Sequence, residues 1–181
     1  MIENLKKNNF LVLIPVLILS LPAFVLSLIG VITYASNCAS EFNGGAVSTN
    51  VVGLGTAAFI VAGVTLLVDI AAFFLARSRK AASLFALSRI GNYVAFFLLL
   101  GAFLYEILDE YSLLGTILYP IVSGTVGDPV DPVLASSYFV SLIFLLVTCL
   151  LSLAAGIVMR KLSYRIDEEE PSHLQEGNVN E

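Results

Sequence analysis

Four runs of apolar residues, near 10–34, 52–76, 82–105 and 136–159, are separated by shorter polar segments. An α-helix needs about 20 apolar residues to cross roughly 30 Å of hydrocarbon, and each run has that length. A helix also satisfies its own backbone hydrogen bonds where no water is present. The pattern therefore predicts an all-α integral membrane protein: a four-helix transmembrane bundle over residues 1–160. After it, residues 161–181 turn polar and acidic, too hydrophilic to bury a core, and are expected to form a disordered cytoplasmic tail.

The first run follows a basic start, as a secretory signal would. It is longer than the apolar part of a typical signal, and Ala35-Ser36-Asn37-Cys38 is a poor cleavage sequence. An uncleaved first span is expected; cleavage would leave three spans.

Charge orients the four runs. Lys6 and Lys7 precede the first, Arg77, Arg79 and Lys80 lie between the second and third, Arg89 is just inside the third, and Arg160, Lys161 and Arg165 follow the fourth. A chain that crosses four times puts all of them at one side. Basic residues in short loops stay cytoplasmic, so both termini and the 77–80 turn are expected there. The 35–51 and 107–135 loops then face outside or a lumen. The expected location is a multi-pass membrane protein, in the plasma membrane ahead of an internal one.

Composition agrees, with 58% hydrophobic and 13% charged residues among 181. The net charge of −5 describes no single surface, because acids and bases are segregated. No basic nucleic-acid footprint is present, and the basic residues read as topology signals with some attraction to lipid headgroups.

Small residues mark the faces that meet other helices, since packing drives helix association in lipid. In the second run Gly55, Ala58, Ala62, Thr65, Asp69, Ala72 and Ala76 recur at steps of three and four. Ser20, Ala23, Ser27, Gly30 and Tyr34 make a similar face in the first run, as do Ser141, Thr148, Ser152 and Ala155 in the fourth. Phe59, Leu66, Leu67, Phe73 and Phe74 suit lipid or bulkier packing. Pro15 and Pro22 lie on about one face of the first run, where each removes a helix hydrogen bond.

An ionisable residue inside a span is costly and needs a reason. Asp69 and Arg89 each lie ten residues from Arg79 in the short turn, so an antiparallel hairpin brings them to nearly one depth. They are expected to form a salt bridge between the second and third spans, with Asn92 adding a hydrogen bond. This pair either fixes helix register or makes Asp69 an ion or proton relay.

Glu106, Asp109, Glu110, Asp128 and Asp131 read as a solvated acidic outer surface, because their spacing matches no calcium loop. Cys38 and Cys149 fall at depths too different for a disulfide. His173, the single histidine, lies in the tail, and no nucleophile–base constellation or phosphate loop is present, so no catalysis, cofactor or metal is expected.

Four spans, cytoplasmic ends, a short inner turn and two outer loops resemble the tetraspan families, including MARVEL-type and claudin-like proteins. The first outer loop holds Cys38 without the Trp and paired-Cys pattern of claudins, and the second has no Cys-Cys-Gly of the tetraspanin type. The resemblance implies architecture and carries over no functional residue.

The function expected is that of a non-enzymatic tetraspan scaffold, organising a junction, a membrane domain or a larger complex. Its expected partners are membrane lipid and either a second copy or another membrane protein, with no nucleic acid. A small channel or transporter subunit with Asp69 near the pathway is the alternative, as is an accessory subunit of a large membrane complex.

Overall fold

The computed structural model describes the backbone of residues 2–38, 47–75, 81–109 and 132–176, and the side chains of 13–38, 47–75, 83–108 and 139–161. Every described residue outside 47–48 is helical. In chain order the helices are α1 (Ile2–Cys38), α2 (Thr49–Leu75), α3 (Ala81–Asp109) and α4 (Pro132–Glu176). Each contains an apolar stretch able to cross a membrane: Leu13–Cys38, Thr49–Leu75, Ser83–Leu108 and Phe139–Lys161. The chain is a multi-pass membrane protein built as a four-helix bundle.

Each helix packs on its neighbours in sequence, and α4 closes the ring against α1. Leu13 and Val16 near the start of α1 meet Ala72 near the end of α2, Phe85 near the start of α3, and Met159 of α4. At the far end Tyr34 and Cys38 of α1 meet Val51 of α2. The helices therefore run alternately up and down, with both terminal segments at the Leu13–Met159 end. The connection that turns α2 into α3, residues 76–80, lies outside the described residues.

What holds the helices together is a repeat of buried positions at steps of three and four. In α2 they are Val51, Gly55, Ala58, Ala62, Thr65, Asp69 and Ala72. In α3 they are Phe85, Ser88, Asn92, Ala95, Leu99, Ala102 and Glu106. α1 buries Leu13, Val16, Ser20, Ala23, Ser27, Gly30 and Tyr34 in the same rhythm, and α4 buries Ser141, Leu145, Thr148, Ser152, Ala155 and Met159. A mean step of 3.5 residues keeps one seam facing the partners only if helices wind round each other left-handedly. The three small-residue faces legible in the sequence are these seams.

Small seams allow close approach, and two glycines are required for it. A Cβ built on Gly91 of α3 would stand 2.1 Å from Thr65 Oγ1 of α2, and one on Gly55 would stand 2.4 Å from Val31 Cγ2 of α1. Neither distance is tolerable, so glycine sets the α2–α3 and α1–α2 spacing at these crossings. Between them, Phe24 of α1 stacks on Phe59 of α2 with ring centroids 4.8 Å apart. The outward faces carry large apolar groups such as Leu67, Phe74, Phe97 and Leu108, all well exposed and suited to lipid.

The far end of the α1–α2 pair is closed by local hydrogen bonds. Ser48 is the N-cap of α2, its carbonyl accepting from Val52 N at 3.2 Å. Its own backbone N–H donates to the Tyr34 hydroxyl at 3.1 Å, tying the cap to α1. A cap of this kind satisfies donors that a helix start leaves open.

Two boundaries are corrected. Composition predicts disorder over residues 161–181, and of these 161–176 are helical as the continuation of α4. A composition too polar for a core is still compatible with a helix extended from one already nucleated, because Arg, Lys, Leu and Glu are good helix formers. Residues 177–181 lie outside the described residues. Likewise α3 runs to Asp109, so the outer segment begins later than expected; residues 110–131, with Glu110, Asp128 and Asp131, are outside the described residues, as is Ala76.

Candidate functional site

Asp69 is the only acidic residue in α2, and the seam rhythm carries it to the bundle interior, where it is fully buried. The antiparallel order brings the first third of α1 and the first turns of α3 to the same level. Ser20 of α1 donates its hydroxyl to Asp69 Oδ2 at 2.7 Å. Ser88 of α3 donates its hydroxyl to Asp69 Oδ1. One carboxyl group thus ties three helices.

Asn92, one turn beyond Ser88, extends the cluster. Its Nδ2 donates to the Ser88 carbonyl at 3.0 Å and stands 3.4 Å from Ser88 Oγ. Ser88 is thereby held from both sides, its oxygen between an amide and a carboxyl. Ser20, Ser88 and Asn92 are all buried.

The expected salt bridge is not what the structure shows. Asp69 does lie at the depth of the α3 polar residues, but Ser88 faces it. Arg89 follows Ser88 by one position, a rotation of about 100° round the helix, and sits half-buried at the flank of the seam. Among the described residues no ion pair joins Asp69 and Arg89. Distance from the turn fixes the level and leaves the azimuth open; the seam rhythm 85, 88, 92, 95 settles it in favour of Ser88. Asn92 belongs to the site, bonded to Ser88 rather than Arg89.

A second carboxyl also departs from its expected place. Glu106, which reads in the sequence as part of a solvated outer surface, is fully buried and accepts the Ser141 hydroxyl of α4. The reason is that α3 remains helical through this position and the seam rhythm turns residue 106 inward. The repeat from Ser88 to Glu106 is the signal that could locate it, but Phe85 and Leu99 hide it among bulky neighbours.

Three further buried hydroxyls serve their own helices. Ser27 donates to the Phe24 carbonyl, Thr65 to Val61 and Thr148 to Phe144. Such bonds satisfy a polar group without recruiting a neighbour. Cys38 and Cys149 are both buried, and the Cys149 thiol is directed at the Phe96 carbonyl at 3.7 Å.

No family model, curated protein or solved structure matches this chain. The candidate site therefore rests on its geometry.

Apolar layers bracket the Asp69 cluster. Toward the termini lie Leu13, Val16, Ala72, Phe85 and Met159; toward the far end lie Ala58, Leu99, Ala102, Leu145 and Cys149. Asp69 and its hydroxyls form a polar level between these two apolar clusters, with the buried Thr65 and Ser152 lying between it and the far one. Chemically the arrangement offers hard oxygen donors with one carboxyl at their centre.

Proposed function

We propose that this chain is a non-enzymatic tetraspan organiser, a compact membrane bundle that acts by contacts with a second copy or with another membrane protein. The layering of the core carries this reading: apolar clusters lie along the bundle on both sides of Asp69. The polar and small seams are consumed in joining α1 to α4. What remains for a partner is the outward apolar surface, where Leu67, Phe74 and Phe97 project.

The proposal includes the tetraspan kinship in architecture, both termini in the cytoplasm and residence in the plasma membrane. An epitope inserted in 110–131 is expected to be stained on intact cells, and one at the C-terminus only after permeabilisation. Staining of an internal compartment in place of the cell surface would sink the location.

Extraction in a gentle detergent followed by native mass measurement tests the central claim. A defined oligomer or a stoichiometric complex is expected. A monodisperse monomer with no co-purifying membrane protein would overturn it.

A transport subunit is the second reading, favoured by the two buried carboxyls, Asp69 and Glu106. It requires ion or solute flux from purified protein in liposomes, abolished by Asp69→Asn. The organiser reading expects none.

A further inference from the structure

We propose that Ser20, Asp69, Ser88 and Asn92 form a binding site for one small monovalent cation, of sodium size, held inside the membrane-spanning bundle. This goes beyond the organiser reading and does not depend on it.

The donors are all hard oxygens converging from three helices: both carboxyl oxygens of Asp69 and the hydroxyls of Ser20 and Ser88. Asn92 completes the site from beside it: its Nδ2 donates to the Ser88 carbonyl at 3.0 Å and stands 3.4 Å from Ser88 Oγ, which holds that hydroxyl in place. Carboxylate and hydroxyl oxygens suit hard cations such as calcium, at roughly 2.3–2.6 Å, and sodium has nearly the same radius. Oxygens separated by 2.7 Å can both stand at such a distance from one ion.

The hydroxyl hydrogens have somewhere to go. In this bundle Ser27 and Thr65 already donate to carbonyls three and four residues back. Ser20 and Ser88 can turn in the same way toward Val16 and Leu84, presenting lone pairs to the ion.

Charge selects the valence. When ionised, Asp69 contributes one negative charge, and among the described residues no basic side chain bonds to it. A net charge is expensive inside the hydrocarbon region. One monovalent cation leaves the site neutral, whereas a divalent ion would leave it positive. The donors are all buried inside the bundle, so the ion is held with the fold and locks α1, α2 and α3 together.

Thermal unfolding of the full chain in detergent tests this, in NaCl, KCl or choline chloride at matched ionic strength. A ligand of the folded state stabilises in proportion to the logarithm of its concentration once above its dissociation constant. The melting temperature is expected to rise with NaCl, by ~5 °C or more at a hundredfold excess over that constant. KCl should act more weakly and choline chloride should leave the melting temperature flat. Asp69→Asn should remove the sodium dependence and Glu106→Gln should keep it. If Asp69→Asn does not fold, Ser20→Ala and Asn92→Ala read the same site, each flattening the sodium slope. Identical melting curves in sodium and choline overturn the proposal, as does a sodium slope undiminished in both Ser20→Ala and Asn92→Ala. A monomeric chain with a sodium slope would sink the organiser reading and leave this one standing.

Discussion

Asp69 and Glu106 are both fully buried acids on seam positions, yet they do different work. Asp69 accepts hydroxyls from two other helices, Ser20 of α1 and Ser88 of α3, and lies between apolar layers. Glu106 accepts Ser141 of α4 and sits two residues from the end of its membrane-crossing stretch. The difference teaches that a buried carboxyl is defined by how many elements depend on it and by what seals it. Removing the first disturbs three helices at one level; removing the second disturbs the meeting of α3 and α4 near an end.

The largest expected effect comes from reversing the charge at the Asp69 node. Asp69→Arg puts a long cation between two serine hydroxyls and apolar layers, at a cost on the order of 3–5 kcal/mol for a buried unpaired charge. Loss of monodisperse protein on gel filtration is expected. Adding Arg89→Asp should restore nothing, because Ser88 and not Arg89 faces residue 69. Recovery of the fold in the double variant would show instead that the two charges meet.

Next in size is the close crossing that holds α2 and α3 at the right separation for the node. Gly91→Ala would bring a methyl group to within 2.1 Å of Thr65 Oγ1, and overpacking of this kind costs about 1–3 kcal/mol. The melting temperature should fall, and Thr65→Ala should recover part of it by clearing the space. A methyl group added at Gly53 of the same α2 would meet nothing within 4 Å, so Gly53→Ala should be neutral or slightly stabilising. Equal losses at Gly53 and Gly91 would show that glycine matters for backbone freedom rather than approach.

The two acids compared directly give a smaller separation. Asp69→Asn replaces one acceptor oxygen with an amide group, so one of two serines loses its acceptor, at about 1–2 kcal/mol. Glu106→Gln keeps an oxygen for Ser141 and should cost less than about 1 kcal/mol. Thermal unfolding of both in one salt decides the order. A larger loss for Glu106→Gln would make the far end, not the Asp69 layer, the anchor of the bundle.

How far the sequence discloses this is visible in the same residues. Hydropathy alone locates four spans whose ends fall within about four residues of those observed, because length and apolarity are set by the bilayer itself. The seams of α1, α2 and α4 are legible as small-residue stripes, since close approach in lipid selects Ser, Ala, Gly and Thr. The α3 seam is not, because it mixes Phe85 and Leu99 with Ser88, Asn92 and Ala95. From that one gap both site errors follow. Level alone pairs Arg89 with Asp69, and Glu106 falls to solvent because nothing marks its face. Charge attracts attention in a sequence, whereas the partner here is a serine, and a serine stands out only once the register of its helix is known.

The smallest expected effect concerns the surface opposite the seams, and it separates the fold from its use. Leu67 and Phe97 are 67% and 66% exposed, so their present surroundings in the bundle contribute little. Leu67→Ala and Phe97→Ala should leave the melting temperature unchanged to within about 0.5 kcal/mol of stability, as for surface positions away from special features. Lipid tails fill the space that either side chain vacates, with no hydrophobic penalty of the kind water imposes. A self-associating bundle, however, must use some part of this outward face. Native mass measurement on the same two variants therefore reads what unfolding does not: dissociation at an unchanged melting temperature would place the contact on α2 or α3. A fall of several degrees in either variant would contradict the lipid-facing assignment, because Leu67 is mostly exposed and Phe97 has only its edge-on contact with Phe96, ring centroids 5.0 Å apart, to lose.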